Sequence, residues 1–206
     1  NVVIEGTGVV PDVRVPLTVE TVQSQFVDGK DVILDYAIEV MEQPLGAGVT
    51  PAYSPTVGSK SESETAFQAE TKWLEDFAQE DYQNSVTAQA GETYIFTVPV
   101  PASRNLMWVY AWCTADEASF EDNWSKISLE FAINGEVIPF EDFAKLEGVF
   151  SGDHCRAYYT VLSDWAVGEH VLTTTVTFAA ALNDGMTEED YPAGTHVYEY
   201  HVFVAR

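Results

Sequence analysis

An aromatic row within residues 105–114 is the feature of this sequence best suited to binding a ligand. The segment reads NLMWVYAWCT. In a β-strand, residues two apart share a face, so Trp108, Tyr110 and Trp112 would lie together. Indole and phenol rings offer large contact areas on which the C–H faces of sugars stack. The row therefore predicts a ligand-binding face, with carbohydrate as the first ligand considered.

The segment CRAYYTVL, residues 155–162, predicts a second strand that could assist this row. One face carries Cys155, Ala157 and Tyr159, and the opposite face carries Arg156 and Tyr158. The guanidinium and hydroxyl make the second face the more polar one. We expect Arg156 and Tyr158 to give polar contacts to the ligand, provided that the two strands lie in one sheet.

The two cysteines, Cys113 and Cys155, are predicted to form a disulfide. Each lies on a strand face with apolar, small neighbours, as a bridge crossing the core of a β-sandwich would require. Such a bond indicates an oxidising compartment. In this phase the aromatic row points away from the core. Two alternatives stay open: a helix covers the row, or a bulge inverts the phase.

Two acidic loops are candidates for binding calcium, which takes hard oxygen ligands. The loop TADEASFEDN offers Asp116, Glu121 and Asp122, and the loop NDGMTEED offers Asp184. Neither loop has the EF-hand spacing. Solvated loop charge is the alternative explanation in so acidic a chain.

No pattern for a reaction stands out, so no catalytic residue is assigned. The four histidines lack metal-ligand spacing, and GxSxG, HExxH and glycine-rich phosphate-binding motifs are missing from the sequence. Carboxylate pairs have little specificity as a glycosidase signal when 33 residues are acidic.

The charge balance excludes some partners. The 206 residues carry 33 Asp and Glu against 9 Lys and Arg, a formal net charge of -24. Such a surface repels phosphates and anionic headgroups, so nucleic acid and direct membrane insertion are not expected. No apolar run approaches the roughly 20 residues of a membrane span. The chain begins at Asn1 without a signal-peptide pattern, and we expect this residue to be a mature or trimmed start.

Period-two alternation dominates the chain and predicts an all-β fold. Inward faces are predicted for six later strand segments. Two of them are the cysteine strands, and the other four have the inward residues Tyr94, Phe96, Val98 and Val100; Ile127, Leu129, Phe131 and Ile133; Leu172, Val176 and Phe178; and Tyr198, Tyr200, Val202 and Val204. Asn134-Gly135 predicts a tight hairpin. Short strands with one apolar face indicate an antiparallel β-sandwich, immunoglobulin-like or jelly-roll.

One segment departs from this alternation. Phe67, Trp73, Leu74 and Phe77 recur at helical spacing, so we expect one amphipathic helix over residues 63–80, with a capping box of Ser61 and Glu64. We expect this helix to pack on the sandwich through Trp73, Leu74 and Phe77. The organisation predicted is a single domain over residues 1–206. Its N-terminal strands occupy 1–41, a loop and helix occupy 42–86, and the main strand unit occupies 87–206; two modules remain an alternative.

A sandwich with a cysteine pair and a core tryptophan resembles an immunoglobulin-like domain in architecture. The spacing from Cys113 to Cys155 is shorter than in antibody domains, and Asp153 stands where the family has a tyrosine. The composition is similar to that of secreted bacterial β-sandwich modules and lipoproteins. Neither resemblance assigns functional residues.

These observations predict an exported, non-enzymatic binding module that is secreted, periplasmic or anchored at the cell surface. A glycan is the first expected ligand, or else a surface protein is the partner. The alternatives are a structural or adhesive domain with no small ligand and, third, a glycoside hydrolase. No cofactor is expected other than calcium.

Overall fold

The computed structural model describes residues 50–80, Asn84 and 89–205. The chain divides into two compact units, residues 1–45 and 46–206, and every described residue belongs to the second. The strands predicted within residues 1–41 lie outside the described residues. The single-domain organisation therefore stays a prediction.

The described part of the chain is mostly β. It has ten strands: β1 (Thr56–Val57), β2 (Gln79–Glu80), β3 (Thr93–Pro101), β4 (Leu106–Thr114), β5 (Ile127–Ile133), β6 (Glu136–Ile138), β7 (Ala144–Phe150), β8 (Asp153–Ser163), β9 (Gly168–Phe178) and β10 (Gly194–Ala205). Two helices, α1 (Lys60–Gln68) and α2 (Glu117–Trp124), and two 3₁₀ turns, Leu74–Asp76 and Phe140–Asp142, connect them. None of the helices described is long and apolar enough to span a membrane.

The strands form two sheets. In the four-stranded sheet, β8 pairs antiparallel with β4 along one side and with β7 and β1 along the other. The six-stranded sheet has the order β2-β3-β10-β9-β5-β6, in which only β3 and β10 run parallel. One core cluster draws buried side chains from both sheets, so the sheets pack face to face.

The faces predicted for the six-stranded sheet are confirmed. Val98, Leu172 and Val202 are fully buried at its inner face. Along β9, buried residues alternate strictly with half-buried ones, and three of the half-buried residues are the predicted outward threonines Thr173, Thr175 and Thr177. One apolar face per strand is enough to fix the phase in this sheet, because the opposite face is clearly polar.

The predicted Asn134-Gly135 hairpin is also confirmed. Both residues have positive φ, 52° and 80°, and they join β5 to β6 with Ile133 paired to Glu136. A two-residue loop that follows the strand twist needs two positive φ values, which asparagine and glycine tolerate best. The Asn134 side chain also accepts a 2.9 Å hydrogen bond from the Val171 amide.

The predicted helix is shorter than expected and begins earlier. Helix α1 covers Lys60–Gln68, and its capping box uses Ser59 and Glu62 rather than Ser61 and Glu64. The helix stops because Glu70 adopts a left-handed φ of 55°. The expected packing of the following residues is correct although they are not in the helix. Leu74 is fully buried in the core and Phe77 packs against it.

The phase predicted for β4 and β8 is wrong. Trp108 is fully buried between the sheets, with its ring centroid 4.9 Å from that of Phe131. Tyr110 and Trp112 share this inner face, so the cysteine face is the outer one. Helix α1 and Trp73 cover part of that outer face and form a second small cluster with Met107 and Tyr159.

The predicted bond between Cys113 and Cys155 is present, but it does not cross the core. The two residues are register partners on the neighbouring strands β4 and β8, with 4.0 Å between their Cα atoms. The disulfide therefore joins two strands of one sheet on its outer side.

The hairpin gives a direct test of the backbone assignment. Gly135→Val should lower the free energy of unfolding by about 1–2 kcal/mol, because a β-branched residue resists positive φ. Gly135→Asn is the matched control and should unfold close to the wild type in urea. Equal stability of the valine variant would contradict the turn assignment.

Candidate functional site

Most of the aromatic row predicted to meet a ligand lies inside the sandwich. Trp108 has no exposed surface and Trp112 is 8% exposed. The Trp112 ring is 5.3 Å from Phe178 and 4.8 Å from Tyr191, both edge-on. Two of the three rings are therefore core residues and do not form an open stacking surface. The alternative in which a bulge inverts the phase of β4 was left open above. The inverted phase needs no bulge, because both faces of β4 are apolar and either one can enter the core.

The polar residues predicted to assist the row do lie beside it. Arg156 is the register partner of Trp112, and Tyr158 is the partner of Tyr110. The Arg156 guanidinium carbon is 5.0 Å from the Phe120 ring centroid and 4.9 Å from that of Trp124.

Protein groups also satisfy the charge of Arg156. It is ion-paired with Glu147, and Glu121 lies 3.8 Å away. Cation–π contacts and an ion pair together allow a charged residue to occupy the inner face at the end of the sandwich. The ring of Tyr158 packs against Phe140, at 4.4 Å between centroids. The polarity of Arg156 and Tyr158 therefore did not indicate a solvent-exposed face.

The four carboxylates proposed for calcium do not converge. Asp116 caps α2 by accepting the Ser119 amide, and Asp122 pairs with Lys126. Asp184 is buried and accepts hydrogen bonds from the Met186 amide (2.8 Å) and the Tyr191 hydroxyl (3.2 Å). Glu121 is exposed near Arg156. Across the described ranges, no three His, Cys, Asp or Glu side chains are grouped to hold a metal ion.

The arrangement with the clearest capacity for binding is a cavity of about 520 Å³ along β4, which we call the β4 cavity. It reaches both faces of the strand at Val109, Tyr110 and Ala111. Its lining is almost wholly apolar or aromatic, and two adjacent carboxylates, Glu75 and Asp76, complete it.

The outer wall of the β4 cavity is a cluster of three rings. Phe67, Trp73 and Tyr159 lie with centroids 5.4 to 6.3 Å apart. Helix α1 presents Phe67, which is 38% exposed. Trp73 is held by a short parallel bridge to Met107, whose amide donates to the Lys72 carbonyl at 2.8 Å.

The inner wall is formed by tyrosines that the strand phases bring together. Tyr110 of β4 lines the cavity together with Tyr198 and Tyr200 of β10. Burial raises the pKa of all three phenols, so they stay protonated near neutral pH. Thr174 is 2% exposed, and its Oγ1 has no hydrogen-bond partner among the described residues.

Glu75 is a carboxyl group of the β4 cavity whose acidity is altered. Its side chain keeps contact with solvent, but the carboxyl end lies against the cavity wall, where desolvation raises its pKa to about 7. The Tyr200 hydroxyl donates a 3.4 Å hydrogen bond to Oε1, which opposes the rise. Near neutral pH the carboxyl group is therefore balanced between its two protonation states.

The sequence identified only one residue of this cavity as ligand-binding, Tyr110. Tyr198 and Tyr200 were predicted to face inward, and Trp73 was predicted to pack on the sandwich. All three predictions of orientation agree with the structure. Whether these residues come together depends on which strands oppose each other across the sandwich. The residue pattern of a single strand does not indicate its partners.

Comparison with known proteins adds little. No family model matches the chain, and no curated protein matches it. One similar solved structure is that of PbICP-C in complex with falcipain-2, at 8% identity and a TM-score of 0.35 over 59% of this chain and 95% of that chain. Another is the Plasmodium falciparum protein Pf12p, at 7% identity and a TM-score of 0.30 over 54% of this chain and 42% of that chain.

The buried position of Trp112 predicts a structural role. Trp112→Ala should lower the free energy of unfolding by about 3 kcal/mol, because it leaves a cavity between Phe178 and Tyr191. Chemical denaturation measures the change. A loss below half of that value would mean that the ring is not packed as described.

Glu75 predicts a pH dependence of stability. A folded pKa near 7, above the ordinary 4.5, means that the folded state binds this proton more tightly than the unfolded state. The free energy of unfolding of the wild type, measured relative to that of Glu75→Gln, should therefore fall as pH rises from about 4.5 to 7. Above that range the difference between the two proteins should stay constant. Glu80→Gln, at an exposed residue outside the cavity lining, is the control. Parallel curves for wild type and Glu75→Gln would contradict the raised pKa.

Proposed function

We propose that this chain is a non-catalytic binding domain of an exported protein and that the β4 cavity takes its ligand. The observation that carries the proposal is the cavity itself. About 520 Å³ of space is bordered by aromatic rings on both faces of β4, with polar side-chain groups limited to hydroxyls and two carboxylates. Apolar, concave sites with a few placed polar groups are typical of ligand-binding pockets.

The proposal includes an immunoglobulin-like form of the sandwich. Strands β4, β8 and β7 are neighbours in one sheet, as B, E and D are in that family. Strands β10, β9, β5 and β6 follow the order G, F, C and C′ in the other. The disulfide is the departure, since it joins the B and E positions of one sheet rather than B and F across the core.

Export is supported by the disulfide. Cys113 and Cys155 are the two cysteines of the sequence, and they are bonded to each other. Such bonds persist in oxidising compartments.

Binding without catalysis is supported by the chemistry of the cavity lining. Its titratable groups are Glu75, Asp76 and four tyrosines whose burial disfavours ionisation. Phenols that resist ionisation are weak nucleophiles, which favours binding over covalent catalysis. The two carboxylates and the net charge of -24 favour neutral or cationic ligands.

Carbohydrate, the first ligand expected from the sequence, stays a candidate on different residues from those predicted. The buried rings of Trp108 and Trp112 cannot stack on a sugar, but Phe67, Trp73 and Tyr159 border open space at the outer wall. A structural or adhesive role without a small ligand is the competing proposal, and a glycoside hydrolase is third.

The test uses a neutral-glycan array and a random-peptide display library, each probed with wild type and two variants. Phe67→Ser removes an exposed ring of the outer wall. Met186→Ser removes an apolar side chain that is 46% exposed on a loop outside the cavity lining, and is the matched control. We expect ligands that bind wild type and the control alike and bind Phe67→Ser at least tenfold more weakly. If no ligand from either collection distinguishes the two variants, the proposal is wrong. Hydrolysis of an array glycan would favour the enzyme.

A further inference from the structure

Within the part of the chain that the structure describes, the backbone of β4 has an open stretch on the side away from β8. In an antiparallel ladder, the N–H and C=O of one residue point to the same side, and successive residues alternate sides. The Met107 amide donates to Lys72, outside the pair with β8, and the Ala115 amide donates to Asp184. Both residues therefore turn their backbone groups away from β8.

The residues between them with the same orientation are Val109, Ala111 and Cys113. The register confirms the alternation, because Val161, the partner of Met107, uses its own N–H and C=O for Ser63 and Gly58 rather than for β4. Among the described residues, no group accepts a hydrogen bond from the outward N–H groups of these three residues, and none donates to their outward C=O groups. We call this stretch the β4 edge.

The β4 edge lacks the features that usually protect a strand edge. Proteins block such edges with charged residues, prolines or bulges. The outermost strands elsewhere carry charges, such as Glu80 in β2, Glu136 in β6, and Lys145 and Glu147 in β7. β4 has neither a charged residue nor a proline from Leu106 to Thr114, and Ala111 is exposed.

The β4 cavity lies along this same edge and extends to both faces of the sheet. A strand added beside β4 would direct alternate side chains to opposite faces. One set would meet the outer rings of Phe67 and Trp73, and the other would meet the inner tyrosines. A residue at the end near Glu75 and Asp76 would meet two carboxylates.

We propose that the β4 edge binds an extended segment of a partner polypeptide, which adds a strand to the four-stranded sheet and places a Lys or Arg against Glu75 and Asp76. This inference rests on the proposed function and names the ligand class of the same site. It accounts for backbone groups, cavity and carboxylates together, whereas a glycan would use the rings alone. A second copy of this chain is a poor occupant, because each copy carries a net charge of -24.

The first experiment uses a peptide selected by wild type from the random-peptide library. Its alternate residues are N-methylated in turn, which removes N–H donors from one edge of the bound strand at a time. One alternate set should weaken binding at least tenfold, and the interleaved set should have little effect. Amide hydrogen exchange at Val109, Ala111 and Cys113 should slow when the unmodified peptide binds.

The second experiment changes the protein. Ala111→Pro removes an N–H that points away from β8, a position where an edge strand tolerates proline. Val137→Pro is the matched control in β6. Ile133 and Glu136 close the two-residue hairpin as a bonded pair, so the next amide, that of Val137, also points outward. Ala111→Pro should lose at least tenfold in peptide affinity, and Val137→Pro should keep wild-type affinity. If Ala111→Pro does not fold, the N-methyl series on wild type decides.

The outcomes separate this inference from the proposed function. One outcome is that the selected peptides bind the Phe67→Ser variant more weakly but bind the Ala111→Pro variant normally and tolerate N-methylation at every position. That outcome would overturn strand addition and leave the binding cavity in place. Selection of glycans alone would do the same. If no ligand is sensitive to Phe67→Ser, the proposed function and this inference both fail.

Discussion

The antiparallel pairing of β4 with β8 is the constraint on which the rest of the structure depends. Nine register pairs, from Leu106 with Leu162 to Thr114 with His154, fix the two strands along their length. The side-chain period is two, so this register determines at once which residues enter the core. Trp108 and Trp112 fill the space between the sheets, and the cysteines face outward. The disulfide closes a sequence separation of 42 residues and contributes about 4 kcal/mol in the chain-entropy model.

The same pairing gives the candidate site its two components. β8 occupies one side of β4, and contacts at Met107 and Ala115 close the two ends of the other side. Among the described residues, none pairs with the stretch of backbone between those ends. The rings beside it come from parts of the chain far apart in sequence: Phe67 from α1, Tyr159 from β8 and Tyr200 from β10. Each ring has a packing role on its own strand or helix. Their proximity to one edge makes them a site.

The sequence predicted those parts of the fold in which polar and apolar faces differ clearly. β9 alternates threonines with Leu172 and Val176, and the Asn134-Gly135 turn has few alternatives, so both were predicted correctly. β4 gave no such contrast, because Met107 and Trp108 are apolar neighbours and both are fully buried. The polar residues used to decide the phase were misleading, since Arg156 lies between aromatic rings and Thr160 donates to the Gly58 carbonyl.

The cavity and the open edge could not be predicted for a related reason. A strand pattern shows which way a side chain points, but whether a backbone group is paired depends on the neighbouring strand, which the sequence of β4 does not specify. An open edge is normally an aggregation hazard. Here the flanking carboxylates Glu75 and Asp76 and the high net negative charge disfavour association between copies, while leaving the edge available to a neutral or cationic chain. Selectivity would then arise from charge at the approach and from the rings at contact, with the disulfide holding β4 in the register that presents both.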